Sequence, residues 1–193
     1  MDSGIGIVGK DFALLVSDSL CSRSLVKQKT DIDKIIEVGN KKILFISGDS
    51  GDISNFVDFI QKTVQLYSLK TGHSLSTHSV ANFLKQELSK SLRKGGLNIN
   101  LIIAGYDEFI GVSLFYLDYT GNLQRMNYCI QGYASLFISS TLERNFKCNL
   151  NLKNAVSLIM KCILILRKRF VIDNSNFMIK IIDKKGSRVL CSL

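Results

Sequence analysis

The chain has 193 residues, of which 46% are apolar and 21% charged, and its formal net charge is +9. This composition is typical of a globular protein and excludes an intrinsically disordered chain, and the length suits one domain over residues 1–193. No apolar run reaches the roughly eighteen residues that a membrane span needs. The first residues also lack the features of a signal peptide, so we expect a protein of the cytoplasm and nucleus.

Apolar runs near the start of the chain predict two β-hairpins. GIGIV and DFALLVSD, with a turn at GKD, form the first, and KIIEVG and KKILFISG, separated by NK, form the second. A strand with one solvent-exposed face alternates between apolar and polar residues, whereas FALLV and ILFI are continuously apolar. We therefore expect both faces of these strands to be covered.

Two amphipathic helices are predicted next, in DISNFVDFIQKTVQLYSLKTG and STHSVANFLKQELSKSLRKGG. In both segments, apolar residues recur at three- and four-residue steps, which indicates one buried helix face. Each segment also begins with a residue type that caps helices and ends at a glycine. The predicted caps and stops are Asp52 and Gly72 for the first helix, and Ser76 or Thr77 and Gly95 for the second.

Strands resume in NINLIIAGYD, VSLFYLDYTG and QRMNYCIQG. Two further helices are predicted, one within YASLFISSTLERNF and one from Lys153 to about Arg169. A final pair of strands, NFMIKIID and RVLCSL, ends the sequence. Strands and helices are thus grouped rather than strictly alternating. Covered sheets and paired helices together favour an α+β fold with four layers, an αββα sandwich.

The cysteine and histidine residues indicate neither disulfides nor a metal site. Five scattered cysteines without metal-ligand spacing favour reduced, mostly buried thiols. The two histidines, His73 and His78, are predicted to lie in a solvated polar loop. We therefore expect no metal and no cofactor. The cysteines are Cys21, Cys129, Cys148, Cys162 and Cys191.

The excess of basic residues has more than one interpretation. These residues concentrate in KSLRKGG, LRKRF and KKGSR, which are predicted to be two helix C-termini and a turn, and cations are favoured at helix C-termini. A nucleic-acid surface interleaves cations with stacking aromatic side chains, and that pattern is missing. A basic nucleic-acid-binding module is therefore a remote alternative, and a face for an acidic partner protein stays open.

No common cofactor or nucleophile motif is present, and the Gly-rich GIGIVG is not followed by a helix, so it is not a dinucleotide-binding loop. The unusual features are a strand close to the N-terminus, Asp18 at the end of the second strand and Lys34 before the third. A self-activating N-terminal nucleophile needs this arrangement, because its α-amine can act as base for the hydroxyl of the same residue.

The sequence resembles proteasome β subunits, most closely the β4 type. The matching segments include VSDS, DKIIEV, ISGDSGD, LIIAGYD, YLDYTG and IKIIDKKG, and QLYS with QELSKSLR favours β4. The resemblance implies the N-terminal-nucleophile hydrolase fold, which is an αββα sandwich. It also implies a place in the 20S proteasome core particle and a role in ATP- and ubiquitin-dependent protein degradation.

In active members of this family a threonine is the first mature residue, and an Asp and a Lys follow sixteen and thirty-two positions later. Asp18 and Lys34 stand at those distances from Asp2, so the nucleophile position holds a residue without a hydroxyl. Ser3 is out of this register and is expected on the opposite face of the strand. We also expect no propeptide. The resemblance thus implies a subunit without catalytic residues, in which Asp18 and Lys34 form a structural ion pair.

Other active-site positions of the family are matched less closely. Gly48 corresponds to a glycine that helps to bind the substrate backbone in active relatives, and here we interpret it as serving a tight strand-to-helix turn. The segments IQGYASLF and FVIDNSNFM lie where relatives carry further active-site residues, but no role carries over to them. The candidates in these segments are Gly132, Ser135, Asp173 and Ser175.

The resemblance also implies partners. These are adjacent β3 and β5 subunits, overlying α subunits and β subunits of the facing ring, with unfolded substrate proteins passing through the chamber and no nucleic acid or membrane involved. The main alternative is an active N-terminal-nucleophile peptidase, produced by processing that leaves Ser3 or Thr30 as the first residue.

Overall fold

The computed structural model describes residues 2–23, 26–170 and 176–192. Its strands are β1 (Ser3–Val8), β2 (Phe12–Asp18), β3 (Cys21–Arg23), β4 (Val26–Lys29), β5 (Ile35–Glu37), β6 (Lys42–Gly48), β7 (Ile99–Asp107), β8 (Gly111–Leu117), β9 (Leu123–Arg125), β10 (Tyr128–Gly132), β11 (Phe177–Asp183) and β12 (Gly186–Ser192). Its helices are α1 (Ser50–Thr71), α2 (Thr77–Leu92), α3 (Ser135–Asn145) and α4 (Leu152–Arg169).

The strands form two antiparallel five-stranded sheets. The first sheet has the order β10-β1-β2-β11-β12 and the second has the order β5-β6-β7-β8-β9, while β3 and β4 pair in a separate ribbon. Helices α3 and α4 cover the first sheet, and α1 and α2 cover the second. This architecture confirms the predicted αββα sandwich.

Each boundary between layers has its own apolar cluster. Leu15 and Phe45 lie between the two sheets, Leu84 of α2 lies in the cluster between the second sheet and its helices, and Ile159 of α4 lies in the cluster between the first sheet and its helices. All residues of β2 are buried, which confirms that the continuously apolar strands are covered on both faces. The sequence pattern predicted this correctly, because a strand that is buried on both faces has apolar residues at successive positions instead of alternating apolar and polar residues.

The first predicted helix begins earlier than expected. Asp49, rather than Asp52, is the N-cap of α1, and its side chain accepts a hydrogen bond from the Gly51 N–H at 3.0 Å. Asp52 instead lies in the first turn, where a negative charge is favourable because of the helix macrodipole. Gly72 ends the helix in the left-handed conformation, with φ 69°, as predicted.

Two other predictions need adjustment, and one element was missed. The cap of α2 is Ser76, as expected, but the helix ends at Leu92, before the predicted stop at Gly95. The single strand predicted in QRMNYCIQG is two strands, β9 and β10, which belong to different sheets. The ribbon of β3 and β4 was not predicted. The basic residues of LRKRF do lie in the last turn of α4, as expected, whereas of those in KSLRKGG only Lys90 lies in the last turn of α2 and Arg93 is its C-cap.

Strand β1 lies inside the first sheet, between β2 and β10, and so fixes the residues near the N-terminus. The side chains of Ile5 and Ile7 pack towards α4, whereas Gly4 and Gly6 face the second sheet. A Cβ atom at Gly4 would overlap with the ring of Phe45, so this strand approaches the second sheet closely because it has no side chain there.

This close approach predicts that Gly4→Val destabilises the chain by about 1–3 kcal/mol, since added atoms in a packed interior force neighbours to shift. Chemical denaturation of the full chain measures the effect. Gly51→Ala is the matched control, because Gly51 is exposed in the first turn of α1 and its change should stay within about 0.5 kcal/mol. Equal effects of the two substitutions would contradict the close packing of the sheets.

Candidate functional site

Three charged side chains from separate parts of the chain meet beside β1, and we call them the Lys34 cluster: Asp2, Asp18 and Lys34. Asp2 precedes β1, Asp18 ends β2, and Lys34 precedes β5. The Lys34 Nζ donates to Asp2 Oδ1 at 2.7 Å, to Asp18 Oδ1 at 3.0 Å and to the carbonyl oxygen of Leu20 at 2.7 Å. All three donors of the ammonium group are therefore used.

Asp18 is the fully buried member of the cluster. Its Oδ1 accepts the backbone N–H of Ser3 at 2.9 Å as well as the bond from Lys34. Burial raises the pKa of Asp18, while the ammonium of Lys34 and the N–H of Ser3 act in the opposite direction. The ion pair expected from the sequence is therefore present, and it compensates only in part for the burial of the carboxylate.

Asp2 is the partly exposed member, with 24% of its side chain accessible. One carboxylate oxygen, Oδ1, binds Lys34, and the other, Oδ2, accepts the backbone N–H of Gly48 at 3.3 Å. Gly48 is the last residue of β6, just before the cap of α1, so it does lie at the predicted strand-to-helix turn. A Cβ atom there would overlap with the carbonyl oxygen of Asn98, which requires glycine at this position.

Ser3 does not face the Lys34 cluster. It is in register with Ile5 and Ile7, whose side chains pack on the opposite side of β1, and only 2% of Ser3 is exposed. What Ser3 contributes to the cluster is its backbone N–H. The strand periodicity therefore placed this residue correctly.

Two of the remaining candidates shape the backbone around Asp2. Gly132 has φ 76°, and a Cβ atom there would overlap with the carbonyl oxygen of Asp2. Ser135 begins α3 and donates its hydroxyl to the carbonyl oxygen of Gly132 at 2.8 Å. Asp173 and Ser175 lie outside the described residues.

An open cleft of about 770 Å³ borders the Lys34 cluster. It is lined by Asp2, Lys34 and Gly48 together with residues from the β3–β4 ribbon and the start of α1. Sequence reasoning missed these additional residues because the matching segments DKIIEV and ISGDSGD did not show which of their side chains face the cleft, and the ribbon was not predicted. The additional lining residues are Cys21, Ser22, Gln28, Ile32, Asp33, Ile36, Ile46, Asp49, Ser50, Ile53, Ser54 and Val57.

A second buried lysine supports the same segment of the chain. Lys180 of β11 donates to Asp33 Oδ2 and to the carbonyl oxygen of Ile35, both at 2.5 Å. Asp33 also accepts the N–H of Ile35 at 2.9 Å. The sequence did carry a signal for this contact, because Lys180 is the one charged residue within the apolar run FMIKII. A charge in a buried strand requires a partner.

Neither histidine joins a cluster. His73 is exposed beyond α1, and His78 lies within α2 rather than in the predicted loop, with its ring 5.6 Å from that of Phe115. Among the described residues, no group of three or more His, Cys, Asp or Glu side chains is arranged to hold a metal ion. Nor does any helix in the described ranges have the length and apolar character to cross a membrane.

The five cysteines all fall within the described residues and are free thiols. Only Cys129 and Cys162 are buried, so the prediction that most of them are buried was wrong. Burial raises the pKa of both thiols, that of Cys162 to about 11. These two thiols therefore stay protonated at neutral pH and act as small apolar side chains.

An αββα sandwich with an Asp and a Lys beside the start of its first strand is the architecture of the N-terminal-nucleophile hydrolase class. Residues 2–182 match the family described as "Proteasome subunit". The chain belongs to this family and is a β subunit of the 20S core, which implies that it assembles with other proteasome subunits.

Individual relatives cover nearly the whole chain. "Proteasome subunit beta type-2-B" of Arabidopsis thaliana is 39% identical, over 97% of this chain and 94% of the relative. "Proteasome subunit beta type-2" of Dictyostelium discoideum is 38% identical, over 98% and 97%. "Proteasome subunit beta type-4" of Saccharomyces cerevisiae is 30% identical, over 97% and 96%. These names agree on the β class and differ in the type number.

The burial of the cluster predicts a strong effect of removing its cation. Lys34→Met should destabilise the full chain by about 3–5 kcal/mol, because it leaves the buried carboxylate of Asp18 without its ammonium partner. The double variant Asp18→Asn/Lys34→Met should recover part of this loss, because the charge is then gone as well. Chemical denaturation of each variant measures these differences.

Lys62→Met is the matched control for that cycle. Lys62 pairs with Asp58 at 2.8 Å, but both side chains are more than 60% exposed, and such pairs contribute about 0–1 kcal/mol. A Lys34→Met effect no larger than that of Lys62→Met would show that the cluster does not stabilise the fold.

The raised pKa of Asp18 predicts a dependence of stability on pH. A carboxyl group with a folded-state pKa above its ordinary value of 3.8 binds its proton more tightly in the folded chain. Its stabilising contribution is therefore complete below that ordinary value and is lost as the pH rises through the folded-state pKa. Compared with Asp18→Asn, the unmodified chain should lose stability over this interval. Denaturation curves at a series of pH values test this, and a relative gain with rising pH would contradict it.

Proposed function

We propose that this chain is a non-catalytic, β4-type structural subunit of the 20S proteasome. The observation that carries the proposal is the identity of the residue facing Lys34 at the start of β1. That residue is Asp2, which has no hydroxyl group to attack a peptide carbonyl.

The contacts of the Lys34 cluster support this function. An N-terminal nucleophile needs a hydroxyl group and a nearby base that can accept its proton. Here both oxygens of the Asp2 carboxylate accept hydrogen bonds, and the ammonium of Lys34 donates to three oxygens. None of these groups is a hydroxyl that could attack a peptide carbonyl. The cluster is therefore suited to holding the start of β1 in place rather than to bond cleavage.

The β4 type rests on sequence segments and on part of the comparisons. QLYS and QELSKSLR, in α1 and α2, are the segments that favour β4 over other β types. The relative from Saccharomyces cerevisiae carries the name beta type-4, as does a relative from Schizosaccharomyces pombe that is 34% identical. Other relatives are named beta type-2, so the type is part of the proposal.

A structural role requires surfaces for neighbouring subunits, and several large apolar side chains are exposed. Leu69 on α1 and Leu136 on α3 are both 75% exposed, and Phe109 between β7 and β8 is fully exposed. These apolar groups would leave water if a neighbouring subunit covered them, which would stabilise the contact. We propose β3 and β5 subunits as lateral neighbours, with α subunits and the facing β ring as the other partners. The corresponding location is the cytoplasm and the nucleus, where the particle degrades unfolded, ubiquitin-marked proteins.

The proposal predicts that a reagent that acylates N-terminal threonines leaves this chain unlabelled in the assembled core particle. Catalytic β subunits in the same sample serve as the internal control, since they should be labelled. Intact-mass measurement of the purified subunit should show that Asp2 is retained in the mature chain.

Two results would overturn the proposal in favour of an active peptidase. One is labelling of this chain by the reagent. The other is a mature mass that places Ser3 or Thr30 first. Either result would supply the hydroxyl group and the free α-amine that the present arrangement lacks.

A further inference from the structure

The two oxygens of the Asp2 carboxylate accept hydrogen bonds from two donors: Lys34, just before β5, and Gly48, at the end of β6. Oδ1 accepts from Lys34 Nζ at 2.7 Å, and Oδ2 accepts from the backbone N–H of Gly48 at 3.3 Å. One donor is an ammonium group and the other is a fixed backbone N–H, and together they engage the two oxygens of a single carboxylate. We propose that Lys34 and Gly48 form a carboxylate-binding site, and that the side chain of Asp2 is its built-in ligand.

The position of Asp2 distinguishes it from the other carboxylate of the cluster. Asp18 is completely buried and also accepts the N–H of Ser3, so it is part of the protein interior. Asp2 is 24% exposed and lines the open cleft of about 770 Å³. Removing the Asp2 carboxylate therefore opens its place to the cleft and to solvent, and a small ion can reach the two donors.

The donors keep their places without Asp2. Lys34 is only 10% exposed and remains bound to Asp18 and to the carbonyl oxygen of Leu20. Gly48 is fixed by its ladder position in β6, opposite Ile99 of β7. Because neither donor depends on Asp2 for its position, the site is preorganised for a replacement ligand.

The ligand class follows from geometry more than from charge. Asp18 already offsets the charge of Lys34, so an anion gains little from long-range attraction. A carboxylate can engage both donors with separate oxygens, whereas a halide has a single centre to share between them. We expect weak, millimolar-range binding of a free carboxylate, because Asp2 acts intramolecularly and a free ion must lose its translational freedom.

In this arrangement Asp2 would keep other carboxylates out of the Lys34–Gly48 site. Inside a proteolytic chamber, every product peptide ends in a carboxylate, and an open Lys34–Gly48 site would bind such ends. With Asp2 in place, the site is occupied and the cleft cannot retain them there. The inference rests on the proposed function only in requiring that Asp2 is retained in the mature chain.

Hydrogen exchange in assembled core particles tests the site, with acetate as the probe. In Asp2→Ala particles, the Gly48 amide should exchange about tenfold faster than in the unmodified particle, because it loses a hydrogen bond to a charged acceptor. Saturating acetate should reverse this change, and sodium chloride at equal ionic strength should not. A density map of Asp2→Ala particles in acetate should show the ion between Lys34 Nζ and the Gly48 nitrogen.

Asp2→Asn is the matched control, because it keeps the shape of the side chain and fills the site without a charge. Its Gly48 amide should exchange faster than in the unmodified particle and should not respond to acetate. The proposal is overturned if acetate fails to slow exchange in Asp2→Ala, or if chloride acts equally well, which would indicate an adventitious ion only. If the Asp2→Ala chain is not incorporated into particles, the Asp2→Asn particles provide the test. The proposal is then overturned if their Gly48 amide exchanges at the same rate as in the unmodified particle. Labelling of the chain by a threonine-directed reagent, in contrast, would overturn the proposed function.

Discussion

The ammonium group of Lys34 is shared among two carboxylates and one carbonyl, and the geometry of the site depends on this sharing. Asp18 is the last residue of β2, and Leu20 follows two residues later. Lys34, in contrast, directly precedes β5 of the other sheet. The contact therefore joins the two sheets at the edge where β1 begins. A buried ion pair contributes little net stability, but removing one partner is costly because a buried charge is then left behind. Such a contact constrains position more than it adds stability.

A contact of a second lysine, Lys180, adds to this constraint. Asp33 and Lys34 are neighbours in the chain, and they bind different strands of the first sheet, Lys180 in β11 and Asp18 at the end of β2. Because β2 and β11 are neighbouring strands, the two contacts attach this segment to two nearby points of the first sheet. The backbone before β5 is thus held at two successive residues, which fixes the position from which the Lys34 side chain extends to Asp2.

Much of this arrangement was predictable from the sequence, and the limits have physical causes. Continuous apolar runs predicted the covered sheets, and the spacing of Asp2, Asp18 and Lys34 predicted the cluster through family resemblance. The bond from Gly48 to Asp2 was not predictable, because it depends on how closely β6 approaches β1 across the sandwich. The cap of α1 was assigned to the wrong aspartate because two aspartates precede the same apolar stripe, and only the backbone conformation distinguishes them. The segment QRMNYCIQG was predicted as one strand instead of two, because no glycine, proline or turn pair marks the point where the chain passes from one sheet to the other.

An aspartate in this place changes the charge of the site without requiring a change in the fold. A neutral hydroxyl residue facing the Asp18–Lys34 pair would leave the cluster with no net charge, whereas Asp2 gives it one excess negative charge. The N–H of Gly48 and partial exposure to solvent offset this excess, since Oδ2 accepts that N–H and 24% of the side chain is accessible. The backbone around Asp2 is fixed separately, because its carbonyl oxygen accepts the N–H of Tyr133 at 3.2 Å. The strand, the cleft and the outer surfaces thus keep their positions with an aspartate at this place, which is what the proposed structural subunit requires.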